Sequence, residues 1–374
     1  MEFTIDRQTF LNGLYKTQGI IEKKSTINVL SHVLISSVDG GVQLTSTDYD
    51  VIFIGTWPAT VHEAGSIAVN GRNLFEVVKS LPDLPVRIRS QANHWIELTC
   101  GRSRFSLAGI SPEEFPRLQE DTDLVTFRVP KATIQAMIDK TVFSVSNDET
   151  RMNLNGVFFQ VQPREGDQVR LVMVSTDGHR LSKVEEIVEG VQFAGDGASA
   201  IVHKKGIFEL KRLFDGPEAH TEIGFVNANT VFRNDGATMF IRRIEESFPD
   251  YNKVIPSESN LSVHIPRVPL MDAIRRIATL TTNKASIIRV ELRDDKLTLL
   301  SQNPEAGEGR DELDVVYSGP PLVIGFNYKY LLDVLGVIGG DEVRFEINDQ
   351  FSPGVIRSDE DPDATFVIMP MRIG

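Results

Sequence analysis

Three times along the chain, a short alternating strand runs straight into an amphipathic helix. Phe3-Thr4-Ile5-Asp6-Arg7 leads to Phe10, Leu11, Leu14 and Tyr15. Phe127-Arg128-Val129-Pro130-Lys131 leads to Ile134, Met137 and Ile138, and Val263-His264-Ile265-Pro266-Arg267 leads to Leu270, Ile274 and Ile277. In each case a period near two gives way to helical spacing. Pro130 and Pro266 stand where a helix begins, where a missing N–H costs nothing. Further landmarks repeat downstream. Leu44-Thr45-Ser46-Thr47-Asp48 is matched by Met173-Val174-Ser175-Thr176-Asp177 and more weakly by Leu299-Leu300-Ser301-Gln302-Asn303. A second helix is expected around Leu74-Phe75-Glu76-Val77-Val78, Ile207-Phe208-Glu209-Leu210 and Tyr330-Leu331-Leu332-Asp333-Val334-Leu335. A closing strand is expected at Arg104-Phe105-Ser106-Leu107, Met239-Phe240-Ile241-Arg242 and Thr365-Phe366-Val367-Ile368. A repeat at this period constrains the fold more than any single motif.

The intervening sequence reads as Val- and Ile-rich strands broken by turns such as Asp39-Gly40-Gly41 and Asp294-Asp295-Lys296. The expected class is therefore α+β, three repeated domains of two helices on antiparallel sheet. Boundaries fall in the polar stretches Gln119–Asp123 and Pro256–Asn260, giving domains 1–124, 125–257 and 258–374. A chain of 374 residues has room for three such domains, at roughly 100–200 residues each. Three duplicated units form an arc, which closes most simply against a second copy. One cysteine, Cys100, excludes an intramolecular disulfide and a Cys-based metal site. The start MEFTIDRQTF shows no secretory pattern, and no apolar run approaches the roughly 18–20 residues of a membrane span. A cytoplasmic protein without membrane contact is expected.

Net charge is −13, which excludes adhesive, histone-like DNA binding. Its placement is uneven. The helices expected at 6–16, 70–80, 131–140, 203–213, 266–278 and 327–335 hold fourteen Lys and Arg against six acids. If these helices share a face, that face is positive, with Lys204, Lys205, Lys211 and Arg212 as the densest cluster and Lys23-Lys24 as a second. Such a surface tolerates a phosphate backbone without gripping it. The plainer reading is ordinary helix solubility.

Enzyme signals are sparse. There is no phosphate loop or dinucleotide fingerprint, and the seven histidines lack metal-ligand spacing. Asp177-Gly178-His179-Arg180 places a carboxylate, an imidazole and a guanidinium together, yet Asp-Gly also marks an ordinary turn. No cofactor, metal or catalytic residue is expected. The ending Phe366-Val367-Ile368-Met369-Pro370-Met371-Arg372-Ile373 is apolar almost to its last residue. Methionines at such a place suit an adaptable peptide groove.

Thr176-Asp177-Gly178-His179-Arg180-Leu181, Phe248-Pro249-Asp250-Tyr251, Gly325-Phe326-Asn327 with Tyr330 to Leu335, and Val367 to Arg372 together closely resemble the bacterial sliding clamps, the beta-subunit family of DNA polymerase III. The resemblance covers essentially the whole chain. It implies the DNA clamp fold, a head-to-tail homodimer and a six-domain ring around double-stranded DNA. It implies a non-enzymatic processivity factor loaded by an ATP-driven clamp loader. Implied partners are the DNA polymerase III core, the loader, and other DNA polymerases and repair proteins carrying clamp-binding motifs. The implied peptide pocket comprises Leu154, Thr176, Gly178, His179, Arg180, Leu181, Pro249, Lys253, Val254, Tyr330, Val367, Ile368, Met369, Pro370, Met371 and Arg372. Lys253 stands where well-known members carry arginine, and Met152-Asn153 where they carry two tyrosines. Implied DNA contacts are Lys24, Arg72, Lys204 and Lys205. Implied dimer contacts are Arg102, Arg104, Phe105 and Leu107 on one edge, and Leu280, Glu305 and Glu308 on the other. Two readings compete: an enzyme built on Asp177, His179 and Arg180, and a repeat-built binding protein that never closes.

Overall fold

The computed structural model describes residues 1–374 apart from 23–26, 117–125, 192, 194, 282–285, 304–306 and 374. Lys24, Glu305 and the expected boundary near residue 124 lie outside the described residues. Six α-helices appear among the described residues: α1 Arg7–Thr17, α2 Gly71–Ser80, α3 Lys131–Thr141, α4 Lys204–Leu213, α5 Arg267–Ala278 and α6 Tyr328–Leu335. Each lies within a residue or so of its expected span. All but α1 continue directly from the residue that ends a strand, and α1 follows one residue after Glu2–Ile5. Asp6, Asn70, His203 and Asn327 cap α1, α2, α4 and α6 by accepting from a backbone N–H of the first turn. The expected hairpin turns are present. Gly40 has φ +77°, and Asp294 and Asp295 have φ +51° and +57°, the left-handed pair that a two-residue turn requires.

The chain forms two compact units. The first comprises Met1–Ala132, Val191–Ala194 and Val202–Arg243. Its strands are antiparallel. Val51–Pro58 pairs with Gly41–Thr47 on one side and with Ala237–Ile244 on the other, setting Phe53 opposite Met239 and Ile52 opposite Phe240. The core beneath α1 and α2 holds Phe3, Phe10, Leu14, Val33, Leu44, Leu74 and Ile88, all at most 1% exposed. The second unit comprises Thr133–Gly190, Gly195–Ile201 and Ile244–Gly374. There Arg180–Glu189 pairs with Asp361–Ile368, joining second-repeat strands to third-repeat strands. A separate four-stranded sheet runs Gly307–Asp314, Lys296–Asn303, Ile287–Arg293, Leu322–Asn327. The second repeat thus divides its strands between the two units, so the compact units and the sequence repeats partition the chain differently.

Several helix cations read as surface charge have structural tasks. Arg7 at the start of α1 donates to Val78 O and Lys79 O at the end of α2. Lys131 at the start of α3 donates to Phe214 O and Gly216 O just past α4. Arg267 at the start of α5 donates to Leu335 O and Gly340 O at and beyond the end of α6. The same device therefore caps the second helix in every repeat, placing a cation where the helix dipole is negative. Lys16 is only 3% exposed, donates to Leu213 O at 3.2 Å and faces Asp235. Burial pushes its pKa down, offset by Asp235 and Asp215. Replacing Arg267 with Met keeps the stem and removes the donors. It should lower stability by about 1–2 kcal/mol, measured as a shift in urea midpoint at constant slope.

Candidate peptide-binding site

Every residue of the expected pocket lies within the second unit. Its base is the outward face of the sheet. Ladder register sets Leu181 opposite Val367 and Val367 opposite Val355, so the three share one face. Val172 and Val174 join them in an apolar cluster, with all five at most 2% exposed. Phe158, Phe248, Tyr251 and Ile255 cover the cluster. Phe248 stacks on Phe158 with ring centroids 5.2 Å apart. The segment linking the second and third repeats thus straps an apolar face that would otherwise be exposed. Beside it Lys183 approaches the Tyr251 ring, 5.7 Å from its centroid. Burial penalises the Glu185 carboxylate, but hydrogen bonds from Arg170 and Lys183 hold its pKa below the usual range. Burial, followed by the nearby Glu185 charge, pushes the Tyr251 hydroxyl up.

The turn Asp177-Gly178-His179 is closed by its own side chains. Asp177 Oδ1 accepts from His179 N and Arg180 N at 2.9 and 3.0 Å, and Thr176 Oγ1 accepts from Gly178 N at 3.1 Å. Gly178 has φ +89°, and a Cβ there would meet Arg151 Nη1 at 2.8 Å. Arg180 is 11% exposed in its side chain. It donates to Asp177, Asp333 and Phe143 O, and its guanidinium lies 4.3 Å from the Tyr330 ring centroid. Burial, then the charge of Asp177, raises the Tyr330 hydroxyl. Asp177 and Arg180 are therefore committed to holding α6 against the turn. His179 contributes its carbonyl, which accepts from Met369 N at 2.8 Å. The three groups are arranged as a structural knot, not as an acid–base pair.

The C-terminal segment leaves the sheet at Ile368 and bridges back where Met371 N donates to Gly325 O at 2.8 Å. Gly325 is needed there, since a Cβ would meet Met371 O at 2.6 Å. Leu154, Leu181, Val367 and Ile368 are buried, whereas Gly178, His179, Pro249, Lys253, Val254, Met371 and Arg372 are exposed. Thr176, Arg180, Tyr330, Met369 and Pro370 are half-buried. Lys253 pairs with Asp250 at 3.4 Å. Sequence reasoning missed Phe158, Val172, Val174, Val355, Phe248, Tyr251 and Ile255. One signal was available: Leu171-Val172-Met173-Val174 is apolar on both faces, which marks a strand covered on both sides.

The sequence matches the DNA polymerase III beta subunit family in three consecutive parts: the N-terminal domain over residues 1–119, the central domain over 128–250 and the C-terminal domain over 252–372. The chain belongs to the beta sliding clamp family. The beta sliding clamp of Pseudomonas aeruginosa is 35% identical over 377 residues, covering all of both chains. A crystal structure of the DNA polymerase III beta subunit from that organism superposes with a TM-score of 0.91 at 33% identity, again over all of both chains. A sliding clamp from Bartonella birtlesii, bound to griselimycin, superposes with a TM-score of 0.92 at 28% identity and full coverage of both. As a sliding clamp the protein is a DNA replication factor of the three-domain clamp fold, and not an enzyme.

The residues expected to contact DNA or a second copy lie in both units. Arg72 is exposed in the first turn of α2. Lys204 opens α4 half-buried, and Lys205 beside it is ion-paired with Asp48. Arg102 is exposed in the turn before Ser103–Ile110, and on that strand Arg104 and Phe105 are exposed and Leu107 half-buried. Leu280 is half-buried in the turn after α5, and Glu308 is exposed on Gly307–Asp314. No helix among the described residues is long and apolar enough to cross a membrane, and no cluster there could hold a metal. Replacing Arg180 with Ala frees the turn from Asp333 and Phe143 O. It should lower the stability of the second unit by about 2–4 kcal/mol, read as earlier exchange of α6 amide hydrogens and a lower urea midpoint.

Proposed function

We propose that this clamp closes head to tail with a second copy into a six-domain ring around double-stranded DNA. The observation that carries the reading is the pattern of sheet edges. The strand Val51–Pro58 of the first repeat pairs with the closing strand Ala237–Ile244 of the second. The equivalent strand Arg180–Glu189 of the second pairs with the closing strand Asp361–Ile368 of the third. Among the described residues, the equivalent strand Gly307–Asp314 of the third pairs on one side only, with Lys296–Asn303. The closing strand of the first, Ser103–Ile110, leaves Arg104 to Leu107 open on its far side. One chain cannot repeat the same junction a third time, but two chains can do so twice. Two such head-to-tail junctions, each between unlike edges and related by a two-fold axis, close the assembly. The charges suit it: Arg102 and Arg104 on one edge, and Glu308, Asp311 and Glu312 on the other. Leu280, Phe105 and Leu107 supply its apolar centre, and Glu305 adds to the acidic side. The ring links protein to DNA topologically, so long residence needs no strong phosphate contact. Lys24, Arg72, Lys204 and Lys205 meet the backbone.

In the same reading the domains are 1–124, 125–257 and 258–374. The exposed rim of His179, Pro249, Val254, Met371 and Arg372 receives linear motifs of the DNA polymerase III core, the clamp loader, other DNA polymerases and repair proteins in the cytoplasm. The strapped cluster beneath keeps its floor rigid. Native mass by light scattering tests closure. Twice the 41.7 kDa chain mass is expected, and Arg102→Glu with Arg104→Glu should return it to one chain. A concentration-independent monomer in the unmodified protein would leave an open binding protein as the better account. Removing Met369 to Gly374 should weaken a clamp-binding peptide at least about tenfold, ~1.4 kcal/mol, while the dimer persists. Unchanged peptide affinity would place the docking site elsewhere.

A further inference from the structure

We propose that the outer face formed by α1 and α4 binds single-stranded DNA, with Tyr15 and Phe208 as stacking surfaces for unpaired bases. This rests on the reading that these helices face DNA. Aromatic side chains on a core-facing helix are ordinarily its buried ones, as Phe10 is at 1% exposure. Tyr15 is 39% exposed and Phe208 49%. Neither supports the core: α4 buries Ile207, Leu210 and Leu213, and α1 buries Phe10 and Leu14. The two rings are connected. The Arg212 guanidinium lies over the Tyr15 ring, 5.6 Å from its centroid. Phe208 stands one helical turn before Arg212, so the two side chains are neighbours on α4. Ring, guanidinium and ring thus follow one another across the α1–α4 seam.

The charge around this strip chooses the occupant. Lys204 and Lys211 lie one turn before and after Phe208 on the same helix face. The one acid of α4, Glu209, is 5% exposed and bonded to Arg212, and α1 contains no acid between Arg7 and Thr17. An apolar protein helix would gain little from so cationic a border. A duplex offers only phosphates to such a surface, because its base faces are stacked on one another. An unpaired strand offers phosphates and π-faces together. Cation and aromatic in alternation is the arrangement that holds it without sequence preference.

The test is fluorescence anisotropy at low salt, using the full chain with labelled oligo-dT and with a blunt duplex of equal length. Phe208→Ala and Tyr15→Ala should each weaken oligo-dT binding about 5- to 10-fold and leave duplex binding within about twofold. Phe208→Leu keeps the apolar bulk, removes the ring and should lose oligo-dT binding similarly, with an unchanged thermal melt. Unaltered oligo-dT affinity, or equal loss on both probes, would overturn the stacking proposal. Lys204→Glu with Lys211→Glu should weaken both probes. If it weakens neither, the DNA-facing assignment of these helices fails, which is a separate result.

Discussion

An antiparallel sheet must end somewhere, and each end is a row of backbone donors and acceptors in search of partners. This chain resolves the problem by repetition. Phe53 meets Met239 across the first junction, and Ser182 meets Phe366 across the second. Each junction consumes one edge from each of two repeats, so three repeats in series leave two edges over. Of those edges, Gly307 to Asp314 carries five charged residues, and Arg104 to Leu107 carries one, with Arg102 just before it. Charge is what keeps an exposed edge from pairing indiscriminately, while opposite charge on the two edges selects one partner.

Charge on the helices follows a similar economy. The fourteen helix cations suggest a strongly positive surface, but the structure assigns many of them elsewhere. Arg7, Lys131 and Arg267 close the C-terminal ends of α2, α4 and α6. Lys140 pairs with Asp361, Lys205 with Asp48 and Arg276 with Asp311. What remains toward solvent is a modest field. A modest field suits a protein that must move along DNA, since each neutralised phosphate adds counterion release and slows departure.

Periodicity made the helices legible, because their buried stripes at Phe10, Leu14 and Thr17, or at Ile207, Leu210 and Leu213, repeat at helical spacing. The hairpins were legible because Asp-Gly and Asp-Asp pairs state their own backbone geometry. The strap over Val172, Val174 and Leu181 was not, because it depends on which face of the sheet the Phe248–Tyr251 segment lies against. The role of Arg180 was hidden for a related reason. Its neighbours in sequence suggest a functional cluster, yet its partners Phe143 and Tyr330 are far away along the chain and meet it only in the folded unit.

The two junctions share one backbone geometry and differ in their side chains. In the first, Tyr49 N donates to Thr47 Oγ1, Asp50 N and Val51 N donate to Asp48 Oδ1, and Arg242 N donates to Asp50 O. In the second, Gly178 N, His179 N, Arg180 N and Met369 N make the same bonds to Thr176, Asp177 and His179. The backbone turns are twins, down to a left-handed residue at Tyr49, φ +77°, and at Gly178, φ +89°. The side chains differ. Counting back from the matched threonines, Gln43 and Thr45 stand where Val172 and Val174 stand, so the first face lacks two of the five apolar floor residues. Tyr49, exposed to solvent, carries a side chain at the position where Gly178 leaves room for Arg151. The scaffold therefore supplies the turn twice, and a few side chains decide which copy carries an apolar face. Gly178 marks the second turn as much as the valines do, because a Cβ there would meet Arg151, whose guanidinium donates to Asp177 O at 3.0 Å.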